Sequence, residues 1–322
     1  MRSYTYVQII YITILLILTI VVATLYYINM SPTIQIIEKY QNPDKTLIIY
    51  CYYETKDTRA NLEFFVNNAL IDSTTYDFTI IINNSVCTVK FPNPSNLSVI
   101  TRSDNETDLQ TYAWYIKDLE AKTPNPFSQY KHFYFINSSC IGPFIPITAP
   151  FNWIDTLNKT MSGYELIGPI VEFLSDKMHI DVSPIKTSKN IPFIHTYMFG
   201  LGPLGFLIFK DILLELKADT TKDYIVYNTE PLITSKIFLA GHKIKSFLLK
   251  YKNIDINNEK TWDKLISSGD PEIPEKYDGI DVNPLEVMFV KNIRLTNSTR
   301  PKEASGLSLI LSKYIEQYKK WN

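Results

Sequence analysis

Apolar and polar positions along this chain fall into two regimes. From Tyr6 to Ile28 the run "YVQIIYITILLILTIVVATLYYI" carries no charge over 23 residues. At about 1.5 Å of rise per helical residue it is long enough to cross a hydrocarbon core about 30 Å thick. The run predicts a transmembrane helix. It exceeds the apolar stretch of about 7 to 15 residues found in a signal peptide and ends in Tyr26, Tyr27 and Ile28 rather than in small residues, so the anchor is expected to be retained. Arg2 lies on the short side and the next basic residue is Lys39, which favours a cytoplasmic amino terminus and a lumenal or external main body. Residues 1–30 are thus read as tip and anchor and 31–44 as a stalk.

Beyond the stalk, short apolar runs alternate with segments of helical periodicity. "KTLIIYCYYE" (45–54) is apolar on both faces, as in a covered central strand. "DTRANLEFFVNNALI" follows with Leu62, Phe65, Val66, Ala69 and Leu70 on one helical face behind a cap at Asp57 or Thr58. "DFTIIINN" (77–84), an edge excursion "VCTVKF" and "LSVITR" (97–102) read as strands, "DLQTYAWYIKDLE" (108–120) as a helix and "HFYFINS" as a strand. This order predicts an α/β fold: a Rossmann-like, mainly parallel sheet flanked by helices.

The second half is less regular. "YELIGPIVEF" (164–173) reads as one strand, and the glycine-broken run from Ile191 as a strand or turn leading to a helix. "TEPLITSKIFLAGHKIKSFLLKY" has a cap at Thr229, Pro231 in the first turn and apolar positions continuing to Tyr251, with Gly241 interrupting or ending the first helical piece. "NPLEVMFVKNIRL" gives a last strand and "SGLSLILSKYIEQYKKW" a closing amphipathic helix. The division expected is a first half of about 45–150 and a second of about 151–322 within one large domain.

Composition narrows the chemistry. With 32 basic and 33 acidic residues there is no global field to recruit nucleic acid. Cys51, Cys87 and Cys140 show no metal spacing and read as buried thiols. Seven N-x-S/T sequons, at Asn29, Asn83, Asn96, Asn105, Asn137, Asn158 and Asn297, suit a lumenal domain. No Walker A sequence occurs, which argues against the common P-loop kinases.

In open parallel sheets, ligands bind beyond the carboxyl ends of the strands. Three predicted strand ends deliver polar or aromatic groups there: Tyr52, Tyr53 and Glu54, then Arg102, Ser103 and Asp104, and Asn137, Ser138 and Ser139.

The stretches "YCYYETKDTRANLEFFVNNAL", "TRSDNETDLQTYAWYI", "FYFINSSCIGPFIP", "IHTYMFGLGPLGF", "TEPLITSKIFLAGHKI" and "NPLEVMFVKNIR" together resemble, in serial order, a family of GT-A-like glycosyltransferases. That family includes the rhamnan-synthesis type and related proteins of algae, bacteria and large viruses. The resemblance implies a nucleoside-diphosphate sugar as donor and a glycan or glycoprotein as acceptor. It implies donor contacts at Tyr53, Glu54, Arg102, Asn105, Asp108, Asn137, Ser138 and Ser139, and an acceptor contact at His195. Glu230 would be the catalytic base, and Lys291 and Arg294 would neutralise the leaving diphosphate. A divalent cation, Mn or Mg, is expected on the donor in this fold, yet Asn137, Ser138 and Ser139 stand where an Asp-x-Asp pair is usual. The bland readings are a helix-start carboxylate at Glu230, a helix-capping Asp108 and a core histidine at His195. The rival functions are a sugar or nucleotide binder without turnover and a structural membrane protein.

Overall fold

The computed structural model describes residues 14–22, 24, 45–146, 148–174, 191–217, 219–262, 265, 270–273, 276–279 and 281–291. Of the apolar run Tyr6–Ile28 only 14–22 and 24 are described, and these are helical. Among the described residues no helix is long and apolar enough to cross a membrane. The closing helix of "SGLSLILSKYIEQYKKW" lies outside the described residues.

The main sheet is built outward from β1 (Lys45–Tyr52), whose residues after Lys45 are all buried. It pairs in parallel with β2 (Tyr76–Ile82) on one side and with β4 (Tyr130–Asn137) on the other. Beyond β2 the sheet ends in parallel β3 (Leu97–Thr101), which is mostly exposed, as an edge should be. Between β1 and β2 runs α1 (Lys56–Asn68), and between β3 and β4 runs α2 (Asp108–Lys122). The expected β-α-β-β-α-β order is therefore present, with two corrections. The cap of α1 is Thr55, not Asp57 or Thr58; Thr55 and Thr58 satisfy each other's backbone N–H in a capping box. "VCTVKF" is not a strand, because Thr88 is bonded through its N–H and hydroxyl to Glu54, and Pro92 and Pro94 lack donors.

The second half completes the sheet. After the two-residue β5 (Cys140–Ile141) and helix α3 (Trp153–Thr160) comes β6 (Leu166–Gly168). The single strand expected over 164–173 is broken at Pro169, and β7 (Val171–Leu174) leaves the sheet to pair with β8 (Ile191–Ile194). The chain returns as β9 (Met198–Leu201), antiparallel to both β4 and β6. Gly200 lets β9 lie flat on β4, since a Cβ there would come within 2.4 Å of the Tyr134 ring. Helix α4 (Pro203–Leu214) packs on this sheet, with Phe206 stacked on Phe133 at 3.9 Å between centroids.

A helical turn (Lys222–Tyr224) and a π-helical turn (Ile225–Thr229) lead without a break into α5 (Glu230–Leu239). Gly241, at φ +77°, ends it. The helical periodicity read as far as Tyr251 fails there, and Ile244–Ser246 becomes β10, parallel to β6. A helical turn α6 (Pro284–Val287) precedes β11 (Val290–Lys291), which is antiparallel to β5. The seven-stranded order is β10-β6-β9-β4-β1-β2-β3, a mostly parallel α/β sheet.

Candidate functional site

Strands β1 to β4 all run in one direction, so their carboxyl ends share an edge of the sheet. There they open on a cavity of about 880 Å³. Of the residues singled out in the sequence, Tyr53, Asn105, Asp108, Asn137, Ser138, Ser139, His195, Glu230 and Lys291 all line it. Tyr53 is 42% exposed, its ring open to solvent at the strand end.

Asn137 ties the floor together. Its Nδ2 donates to the Asp108 carboxylate at 2.6 Å, while its Oδ1 accepts from the backbone N–H of Ser139 at 3.0 Å and from the Ser139 hydroxyl. Asn61 donates to the Ser138 carbonyl at 2.9 Å, pinning the strand end from α1. Asp108 is the first residue of α2, and the cap is its neighbour Thr107. A carboxylate from α2 thus stands at the end of β4, a strand that has none of its own. Asn137 is not available as a glycan acceptor, and the buried sequon residues Asn83 and Asn96 are likewise committed, to Thr111 and to the Ile71 and Tyr76 carbonyls.

Two expected donor contacts do not line the cavity. The Glu54 carboxylate is held by Thr88 and by the Tyr52 hydroxyl. Arg102 is buried; its guanidinium donates to Asp104 at 2.6 Å and Glu106 at 2.7 Å, and it sits 4.4 Å from the centre of the Trp114 ring. Arg102 therefore braces the 104–107 loop from behind, and Glu106 and Thr107 of that loop face the cavity. Arg294 lies outside the described residues.

Glu230 sits in a different electrostatic setting from the one a helix start implies. Its N–H is already bonded to the Ile225 carbonyl in the π-turn, so α5 has no free amino end to favour the anion. Burial, then the nearby charge of Asp108, push its carboxyl up to about 7, against the opposing hydrogen bond of Thr196 and the charges of His195 and Lys291. Lys291 reaches the cavity from β11, which is paired with Cys140 just past the end of β4.

His195 is neither isolated nor merely packed. Its Nε2 lies 3.1 Å from Glu172 Oε2 and its Nδ1 lies 3.1 Å from Glu272 Oε2. Burial by itself would lower the imidazole, but the hydrogen bonds and charges of Glu172 and Glu272 outweigh it and raise it above its ordinary value. Glu172, His195 and Asp270 each offer one ligand atom within 4.8 Å of the others, a group able to hold a metal ion. Glu172 and Asp270 were not selected in the sequence. The signal for Glu172 was present as a lone charge inside the apolar run "LIGPIVEF"; Asp270 and Glu272 meet His195 only through tertiary structure. The three cysteines are free thiols, with Cys51 and Cys140 buried.

No protein-family model matches the chain, and no curated protein matches it.

Proposed function

We propose that the chain is a membrane-anchored, GT-A-like glycosyltransferase, type II in orientation, that moves a sugar from a nucleoside-diphosphate sugar to a glycan or glycoprotein. The observation that carries this reading is Glu230: a carboxyl raised to about 7, facing a cavity of about 880 Å³ at the carboxyl edge of a parallel sheet. A general base works best with its pKa near the operating pH, and a hydroxyl acceptor needs one.

In this reading Tyr53 stacks on the base, and Asn105, Asp108 and the Asn137–Ser139 strand end hold the donor sugar and phosphates. The acceptor oxygen attacks the anomeric carbon as its proton passes to Glu230. The bond from that carbon to the diphosphate oxygen breaks, and the diphosphate leaves with the bonding pair towards Lys291 and Lys222, which line the same cavity. Single displacement of this kind inverts the anomeric centre. A divalent cation held on the diphosphate by Asn137, Ser138 and Ser139 does not fit these residues. All three are neutral, hard cations favour carboxylate oxygens, and the Asn137 oxygen already accepts two bonds. That commitment also favours a second reading, binding without turnover.

The test is a screen of the full chain in detergent against UDP-, GDP- and dTDP-sugars, read by thermal stabilisation and then by donor hydrolysis. A ligand bound well above its Kd raises stability by mass action. Stabilisation with hydrolysis or transfer supports the enzyme, and stabilisation alone supports the binder. No shift with any nucleotide sugar overturns both.

A further inference from the structure

We propose that Glu172, His195 and Asp270 bind one first-row divalent transition-metal ion of the manganese, cobalt and zinc type, with Glu272 as the outer carboxylate that orients the imidazole. The pairing of β7 with β8, Glu172 opposite Phe193 and Val171 opposite Ile194, brings Glu172 beside the residue that follows β8. That residue is His195. Its ring is fixed by Glu272 on Nδ1, by Glu172 at Nε2 and by Phe193 stacked at 5.0 Å between centroids.

Ligand atoms about 2.0 to 2.2 Å from a common ion lie at most about 4.4 Å apart. A group already within 4.8 Å closes on an ion with small side-chain movements. A metal-bound histidine commonly gives its other ring N–H to a carboxylate, and Glu272 stands in that position.

Glu272 supplies an independent observation. Its side chain is only 4% exposed, and its second oxygen, Oε1, is buried without a hydrogen-bond partner among the described residues. A buried carboxylate oxygen left unmatched is costly. Positive charge on the far side of the ring it touches offsets that cost, and a bound ion puts it there. One nitrogen and two carboxylate oxygens suit a borderline transition ion better than magnesium or calcium, which prefer oxygen alone. All three ligands line the cavity, so the remaining coordination positions open towards it. The inference needs no nucleotide sugar; metal binding can fail while the transferase reading stands, and the reverse.

The experiment titrates the full chain in detergent, stripped with EDTA, with manganese chloride. Loss of the free-ion EPR signal counts bound ions, and pulsed EPR looks for nitrogen coupling. The expected result is one manganese per chain, coupled to one imidazole nitrogen and not displaced by excess magnesium. His195→Gln should abolish the coupling, and Glu272→Gln should weaken binding about 10- to 100-fold. No bound manganese at millimolar ion, or bound manganese without nitrogen coupling in the unaltered chain, overturns the proposal. That second readout needs no variant to fold.

Discussion

Asn137 Nδ2 donates to Asp108 Oδ2 across 2.6 Å, joining the end of β4 to the first turn of α2. The amide is what lets a strand end and a helix start, each facing the same cavity, approach so closely without repulsion. Asn137→Asp replaces the donor with a second carboxylate. In EDTA the variant should lose about 1 to 3 kcal/mol of stability, since a hydrogen bond to a charged group becomes a like-charge contact. Adding manganese should raise the variant's Tm by more than it raises that of the unaltered chain, because two facing carboxylates make a better cation site than one. Thermal unfolding with and without the ion reads both effects; an undiminished Tm in EDTA would remove Asn137 from this structural role.

Arg102 was expected at the donor and is instead a brace. Its guanidinium serves Asp104, Glu106 and Trp114, with a side chain only 5% exposed. Arg102→Gln should therefore cost about 2 to 4 kcal/mol, by leaving partners unmatched and losing the contact with the Trp114 ring. Any loss of ligand affinity should follow the loss of folded protein. A variant that unfolds normally in urea yet fails to bind nucleotide sugar would return Arg102 to the site.

Gly205, in the first turn of α4, has no room for a side chain. A Cβ there would meet the Glu165 carbonyl oxygen at 2.1 Å, and the Gly205 N–H donates to the Glu165 carboxylate at 2.9 Å. The obstacle is backbone, so α4 must shift away from β6 to accept a methyl. Gly205→Ala should destabilise by about 1 to 3 kcal/mol despite the better helix propensity of alanine. Denaturant unfolding measures it; a stabilised variant would mean that the helix moves freely.

How far the fold could be read from the sequence depended on how local its causes are. The first half was legible because β1, β2 and β4 are buried on both faces and the helices between them carry regular apolar stripes. Pro169 marks where the reading failed, and Gly241 ends a helix as expected, but the strand that follows it was not foreseen. Proline removed a donor from what looked like one strand, and glycine released the chain from helix into β10, where pairing with β6 overrode periodicity. The site was legible where strand ends supply it, at Tyr53 and Asn137 to Ser139. Glu54 and Arg102 share those strand ends, and no local pattern tells that Thr88 or Trp114 will capture them. Glu272 and Asp270 are separated from His195 by over seventy residues, so their meeting is a property of the tertiary fold.

On the proposed reading, Glu230 ties stability and activity to the same proton. Its carboxyl lies near 7 in the folded chain against an ordinary value of 4.5. Below about pH 4.5 both folded and unfolded chains hold the proton and the group has no effect. Between there and pH 7 the unfolded chain has released it while the folded chain keeps it, so the folded state binds more protons and stability falls as pH rises. Above pH 7 the loss is complete, about 3 kcal/mol from a shift of this size. Glu230→Gln cannot lose a proton, so its stability relative to the unaltered chain should rise across that window and level off beyond it. Urea midpoints of the two proteins at pH 4, 6 and 8 test this. If Glu230 is the base, kcat/KM should rise with pH to a plateau with a midpoint near 7, and the variant should lose about 10²- to 10⁴-fold in turnover while still binding donor. A variant more stable at pH 8 yet fully active would keep the buried carboxyl and discard the base; a stability difference that stays flat with pH would discard the raised carboxyl itself.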